Sequence, residues 1–257
     1  MRMSPLRSCL QMLHRLAAVL SVAAAPALAA ELTLLERPLA LPVAAAAAGS
    51  APAKPWQVVG LPQQTKPFTR FSVAQVDGVQ ALRIEADQSY GNLVHPLRIS
   101  ASSVKLSWQW RVDRPIAAAD LKSRRGDDMP VRVCVLFDLP LDKVPARDRR
   151  LLSHARSKSG KHVPGATICY VWDANLPSGK MLESPFTGRI RYVVVQSGSG
   201  KLQQWIAERR DVAADFQRLY GAESDRLPPI LGVAVGADAD NTRTQSLAFV
   251  GDLALEP

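Results

Sequence analysis

The chain has 257 residues, with 32 Lys and Arg against 23 Asp and Glu, and a formal charge of +9. The basic residues are dispersed rather than gathered on one face, which argues against a nucleic-acid partner. Beyond the N-terminal segment no apolar stretch is long enough to span a membrane.

That N-terminal segment reads as a signal peptide over residues 1–29. Arg2 and Arg7 form a basic start. Residues 16–25 (LAAVLSVAAA) form an apolar stretch shorter than the roughly 18 residues of a membrane helix. Ala27-Leu28-Ala29 supplies a small-residue cleavage site, so a periplasmic or secreted protein is expected. Removal would take away Arg2, Arg7 and Arg15 and no acid, lowering the charge from +9 to +6. Cys9 precedes the apolar stretch, so it is not a lipid-attachment cysteine. The residual basic charge suits weak attraction to an envelope component or an anionic surface.

Residues 30–55 are rich in Ala and Pro and read as a mobile tether. A single domain is expected over residues 56–257. Residues 56–59 and 68–76 alternate as strands. Asp77-Gly78 then predicts a hairpin, because a type I′ turn needs positive φ at both central positions. Residues 92–97 are a short extended piece, with Pro96 marking an edge strand or its end.

Residues 104–138 dominate the pattern. Leu106, Trp108, Trp110 and Val112 share one parity, and Val131, Val133, Val135 and Phe137 share another, so two half-buried strands flank a charged loop. The parity of Trp108 and Trp110 matches Leu106 and Val112, which places both indoles in the core. Cys134 and Cys169 both fall in strands. In an oxidising compartment they invite a disulfide, and two buried thiols satisfy the sequence equally well. Residues 142–164 form a long basic segment in which ARDRRLLSHA has the pattern of two helical turns, read as a solvated insertion.

Residues 167–172 and 190–196 are further strands. Asp211 is a helix N-cap, followed by Val212, Phe216, Leu219 and Tyr220 on one face and Gly221 as the stop. Two apolar strands, 230–237 and 247–255, close the chain around an acidic loop. The fold class is therefore all-β: an antiparallel, jelly-roll-like β-sandwich with one short helix near 212–220.

The ordered blocks SYGNLVH, W-x-WRVD, GDD-x(3)-RV-x-VLFD, a Y-x-W strand, W-x(2)-ERRD-V-x(2)-DF, ADADNT and GDL carry a resemblance. From about Trp56 to Leu255 the chain resembles a bacterial secreted family known as a domain of unknown function, number three-zero-four-seven. That resemblance implies the domain boundaries and no activity. More loosely, the strand order is similar to carbohydrate-binding jelly rolls, which implies a fold only.

Familiar catalytic patterns are absent. There is no G-x-S-x-G elbow, no H-E-x-x-H and no glycine-rich phosphate loop. The acidic run from Asp238 fails the EF-hand test, since its sixth position is Arg243 and its twelfth is Phe249. No cofactor is expected, and Asp238 and Asp240 are the ligands calcium would use. Ligand-binding candidates are Asp127, Asp128, Asp238, Asp240, Asn241, Arg111 and Arg209. The reading is a non-enzymatic binding or structural module with a glycan or envelope component as partner. The alternative is a polysaccharide hydrolase or lyase, with a carboxylate pair from Asp127, Asp128, Glu183, Glu208, Asp238 and Asp240. The loops at 126–128 and 238–242 are expected at one end of the sandwich, tied by Asp–Arg pairs from Arg124, Arg125, Arg132 or Arg243.

Overall fold

A computed structural model describes residues 33–34, 39–61, 64–159 and 163–257. The expected signal peptide lies outside the described residues. The fold is a β-sandwich of two sheets. The larger sheet runs β1 (Thr33–Leu34), β6 (Tyr90–Ser100), β13 (Ile230–Asp238), β8 (Met129–Phe137), β9 (Ala166–Asp173), β11 (Thr187–Ser197) and β10 (Met181–Ser184), with β3 (Gln57–Val59) also on β6. The smaller runs β12 (Ile206–Asp211), β7 (Lys105–Arg114), β14 (Gln245–Glu256), β5 (Val79–Asp87) and β4 (Arg70–Val76), with β2 (Leu39–Ala40) on β14.

The alternation in β7 does what its parity predicts. Trp108 and Trp110 face inward at 2% and 0% exposure. They meet Tyr170 and Trp172 of the opposite sheet at ring distances of 5.4 and 5.9 Å. Such aromatic pairs add about 0.5–1.5 kcal/mol each to the burial itself. The hairpin turn also forms as predicted, with φ of 49° at Asp77 and 81° at Gly78 between paired Val76 and Val79.

β8 and β9 are buried on both faces. Their second face carries a smaller cluster of Leu121, Met129, Cys134, Cys169, Leu176, Tyr192 and Val194. Cys134 and Cys169 are directly opposed across β8 and β9, with their sulfurs 2.09 Å apart, a bonded distance.

The expected all-β, predominantly antiparallel sandwich forms, with four differences in detail. Two strand pairs run parallel. The chain leaves β9, passes to the edge as β10 and hairpins back, so β11 runs parallel to β9; β1 is likewise parallel to β6. Pro96 lies in a strand with neighbours on both sides, in register with Gly232 of β13 and opposite the gap between the stretch of β6 paired with β3 and the stretch paired with β1. The segment read as a mobile tether is docked from Leu39 onward: Leu41 and Val43 enter the core, and Gly49 N–H and Ser50 O pair with Val73. The basic insertion holds a full 14-residue helix, α1 (Ala146–Ser159), so the described residues hold a second helix beside the expected one. Its Leu152 is buried, and Arg156 donates to the carbonyls of Val163 and Leu139.

The second helix, α2 (Val212–Tyr220), begins as read, with Asp211 accepting from Ala214 N–H at 2.9 Å. Its end differs. Gly221 stays right-handed at φ −58°, and a Cβ there would lie 2.4 Å from the Gln217 carbonyl oxygen. Glycine is needed for close approach, not for a left-handed turn.

Candidate functional site

β6 and β8 both run antiparallel to β13, so their starts meet its end: Asp238 is in register with Tyr90 on one side and Met129 on the other. The loops at 126–128 and 238–242 therefore do share one end of the sandwich. The β10–β11 hairpin, with residues 61 and 64–66, completes an open pocket there of about 520 Å³. Among its lining residues are Tyr90, Asp127, Arg132, Phe186, Tyr192 and Asp238.

The tie between the loops is not the expected set of Asp–Arg pairs. Asp128 is fully buried, and its carboxylate accepts Asn241 N–H at 3.2 Å and Nδ2 at 3.0 Å on one oxygen, and Thr242 N–H at 2.6 Å and Oγ1 at 2.5 Å on the other. All four acceptor directions of that carboxylate are used. Arg132 alone of the four expected arginines joins in, 3.7 Å from Asp238, while Arg124 binds the Pro185 carbonyl and lies over the Phe186 ring. Asp240 is paired with Lys66 at 3.0 Å.

Three charged groups in the pocket are more than nine-tenths buried yet each keeps an atom without a protein partner: Asp127 Oδ1, Asp238 Oδ1 and one terminal nitrogen, Nη2, of Arg132. The other oxygen of Asp127 accepts Tyr192 OH at 3.0 Å and Ser184 OH at 3.1 Å. Burial pushes the Asp127 carboxyl up to about 6, against the pull of Tyr192, Arg132 and Ser184. Burial also pushes Asp238 well above the ordinary carboxylate value, opposed by Arg132 and reinforced by Asp128 and Asp240. Arg132 lies over the Tyr90 ring at 4.9 Å and donates to Asn92 Oδ1 at 3.0 Å. Phe186, 52% exposed, and Leu61, 51% exposed, give the rim an apolar side.

Of the sequence candidates, Asp127, Asp238, Asp240 and Asn241 line the pocket, and Asp128 ties its loops together. Arg111 and Arg209 are not in it. Arg111 is held by Asp113 and Asp77, and Arg209 by Glu256, both on strands of the smaller sheet. Glu183 pairs with Arg147 and Arg191, and Glu208 accepts from Gln196 Nε2 and Trp110 Nε1. The oxygens of Asp128, Asp238 and Asp240 lie within 4.8 Å of one another, the one such group among the described residues. With Asp128 saturated and Asp240 on Lys66, Asp238 is the member that keeps an oxygen free. Tyr90, Ser184, Phe186 and Tyr192 were not legible as site residues, since they come from distant parts of the chain and look like ordinary strand or turn residues.

These features define a β-sandwich protein with one polar, aromatic-rimmed pocket at a sheet end. The chain belongs to the protein family of unknown function DUF3047, whose pattern matches residues 54–254. No curated protein is similar to it in sequence. Among solved structures, the glycoside hydrolase domain of Endo-D from Streptococcus pneumoniae R6 is similar at 11% identity and TM-score 0.35, covering 78% of this chain and 21% of that one. A family 29 carbohydrate-binding module complexed with cellulohexaose is similar at 11% identity and TM-score 0.34, over 85% and 91% of the two chains. Endoglucanase 3 of Trichoderma harzianum is similar at 9% identity and TM-score 0.36, over 79% and 97%. No helix among the described residues is long and apolar enough to cross a membrane.

Proposed function

We propose that this is an exported, non-enzymatic glycan-binding protein whose ligand enters the pocket between Phe186 and Asp238. The observation that carries this is the pairing of an exposed ring with buried, unpartnered polar atoms in one pocket. A pyranose has that dual character: an axial C–H face that packs on a ring, and hydroxyls that both donate and accept. Asp127 and Asp238 offer acceptors and Arg132 a donor. Unfilled, each buried polar atom costs about 1–3 kcal/mol, so a ligand that completes them gains that difference. The test is a glycan array followed by titration calorimetry. Phe186→Ala should weaken the best ligand by about tenfold without changing the melting temperature. An array with no ligand retained, or a Phe186→Ala protein that binds unchanged, defeats this reading.

A second reading, polysaccharide cleavage, has one specific support. A carboxyl held at about 6 in a pocket suits a general acid. Release of new chain ends from a bound polysaccharide, lost in Asp127→Asn, would favour it.

A further inference from the structure

We infer that the pocket selects saccharides bearing a free amine over neutral and acidic ones, a narrowing that rests on the glycan reading. Three carboxylates line the pocket, Asp127, Asp238 and Asp240, with Asp128 directly behind them. Two cations face them, Arg132 and Lys66, and both are engaged, Arg132 with Asp238 and Lys66 with Asp240. Fully ionised, Asp127, Asp128, Asp238 and Asp240 would exceed these two cations by two, on a chain whose formal charge is +9; burial opposes that ionisation at Asp127 and Asp238, and a bound cation would restore it.

The unpartnered atoms sharpen the choice. Asp127 Oδ1 and Asp238 Oδ1 are acceptors in their ionised form, and both belong to side chains more than nine-tenths buried. An ammonium has three donors and no acceptor, so it suits either carboxylate, and its charge favours the ionised form that burial opposes. A hydroxyl can donate only one hydrogen and neutralises nothing. A uronate would place a fourth carboxylate among three, with Arg132 Nη2 as the one unpartnered buried donor among the described residues that line the pocket. That nitrogen is instead suited to a ring or hydroxyl oxygen next to the amine. The apolar side, Phe186 and Leu61, takes the sugar face.

The same geometry fixes a pH dependence. Asp127 is faced by Tyr192 and Ser184 from β11 and β10, by Arg132 from β8, and by Asp128 beside it. Asp238 is faced by Arg132, Asp128 and Asp240, and Lys66 stands over Asp240. Ammonium binding needs Asp127 ionised, and its value of about 6 leaves about one molecule in ten ionised at pH 5 and nine in ten at pH 7. Affinity for the amine should rise about tenfold over that interval.

The experiment is calorimetry of the purified chain with three probes: triglucosamine, its fully N-acetylated counterpart, and trigalacturonate. Triglucosamine should bind about tenfold or more tightly than the acetylated trimer at pH 7, and trigalacturonate the least. Asp127→Asn should erase both the amine preference and the pH rise, while Phe186→Ala should weaken both trimers alike. Equal binding of amine and acetylated trimers, or tighter binding of the uronate, overturns this inference and leaves the glycan reading standing. No binding by any of the three overturns it too, and the array then decides the glycan reading separately. Calcium chloride that raises the melting temperature and displaces the amine would assign the carboxylates to a metal and overturn it as well.

Discussion

Thr242 donates both its backbone N–H, at 2.6 Å, and its hydroxyl, at 2.5 Å, to a single oxygen of Asp128, which lies 114 residues earlier in the chain. This contact, with the matching pair from Asn241, holds the β13–β14 loop against the start of β8 and so sets the pocket's acidic wall. Charged hydrogen bonds contribute about 1.5–3 kcal/mol each and are not additive. Asp128→Ala should therefore cost about 3–5 kcal/mol, read as a lower urea midpoint at unchanged slope. A loss under about 1 kcal/mol would show that the two loops do not depend on this carboxylate.

How much of this was legible follows the range of the interactions. The Asp77-Gly78 turn, the inward tryptophans and the Asp211 cap are each decided within a few residues, by positive φ, parity and a short side chain reaching Ala214 N–H. The pocket is decided by pairings between strands far apart in sequence. Arg132 sits in β8 between Val131 and Val133, where alternation alone predicts a solvent-facing residue. Its neighbour Cys134 shares that parity, and a cysteine on the outer parity was the signal that this face is covered too. Phe186 gave no signal, because a lone aromatic in a turn fits a rim and a core equally. Asp128 was legible as a loop-tying residue, but not its partners, since Asn241 and Thr242 look like ordinary turn residues.

Asp127 gives a pH prediction with a definite sign. Its carboxyl is raised from 3.8 to about 6 on folding, so the folded state binds the proton more tightly than the unfolded state. Its contribution to stability is fully present below about pH 4 and is lost as pH rises through about 6. A shift of this size corresponds to roughly 3 kcal/mol. Asp127→Asn keeps the shape without the proton, so the wild type should lose stability relative to the variant between pH 4 and 6. Chemical denaturation of both proteins at each pH isolates this group from every other. A constant difference across the range would remove the burial argument.

The sulfurs of Cys134 and Cys169 are bonded across neighbouring strands 35 residues apart in sequence. Denatured, unreduced protein freed of the N-terminal segment should show no reactive thiol, since Cys9 is the remaining cysteine. Replacing both residues by Ala should cost about 2–4 kcal/mol. Two titratable thiols in the unreduced chain would decide against the bridge.

The last prediction concerns Asp215 in the first turn of α2. The structure buries it to 1% exposure. Arg210 binds it through both Nε, at 3.0 Å, and Nη2, at 2.9 Å, and Tyr170 OH lies 3.2 Å from the same carboxylate. Arg210 also lies over the Tyr170 ring at 5.7 Å, so the three side chains form one unit linking β12, α2 and β9. Removing the acid leaves a guanidinium and a buried hydroxyl short of their partner. Asp215→Ala should therefore cost about 3–5 kcal/mol. Arg210 is partly exposed and can turn to water, so Arg210→Ala should harm the fold mainly by leaving buried Asp215 with only Tyr170 OH and the exposed Arg218, 3.6 Å away. The double variant should then lose less than the sum of the two singles, by about 1–3 kcal/mol in a double-mutant cycle. Additive losses would mean that Asp215 and Arg210 stabilise the fold independently, and the unit would not exist.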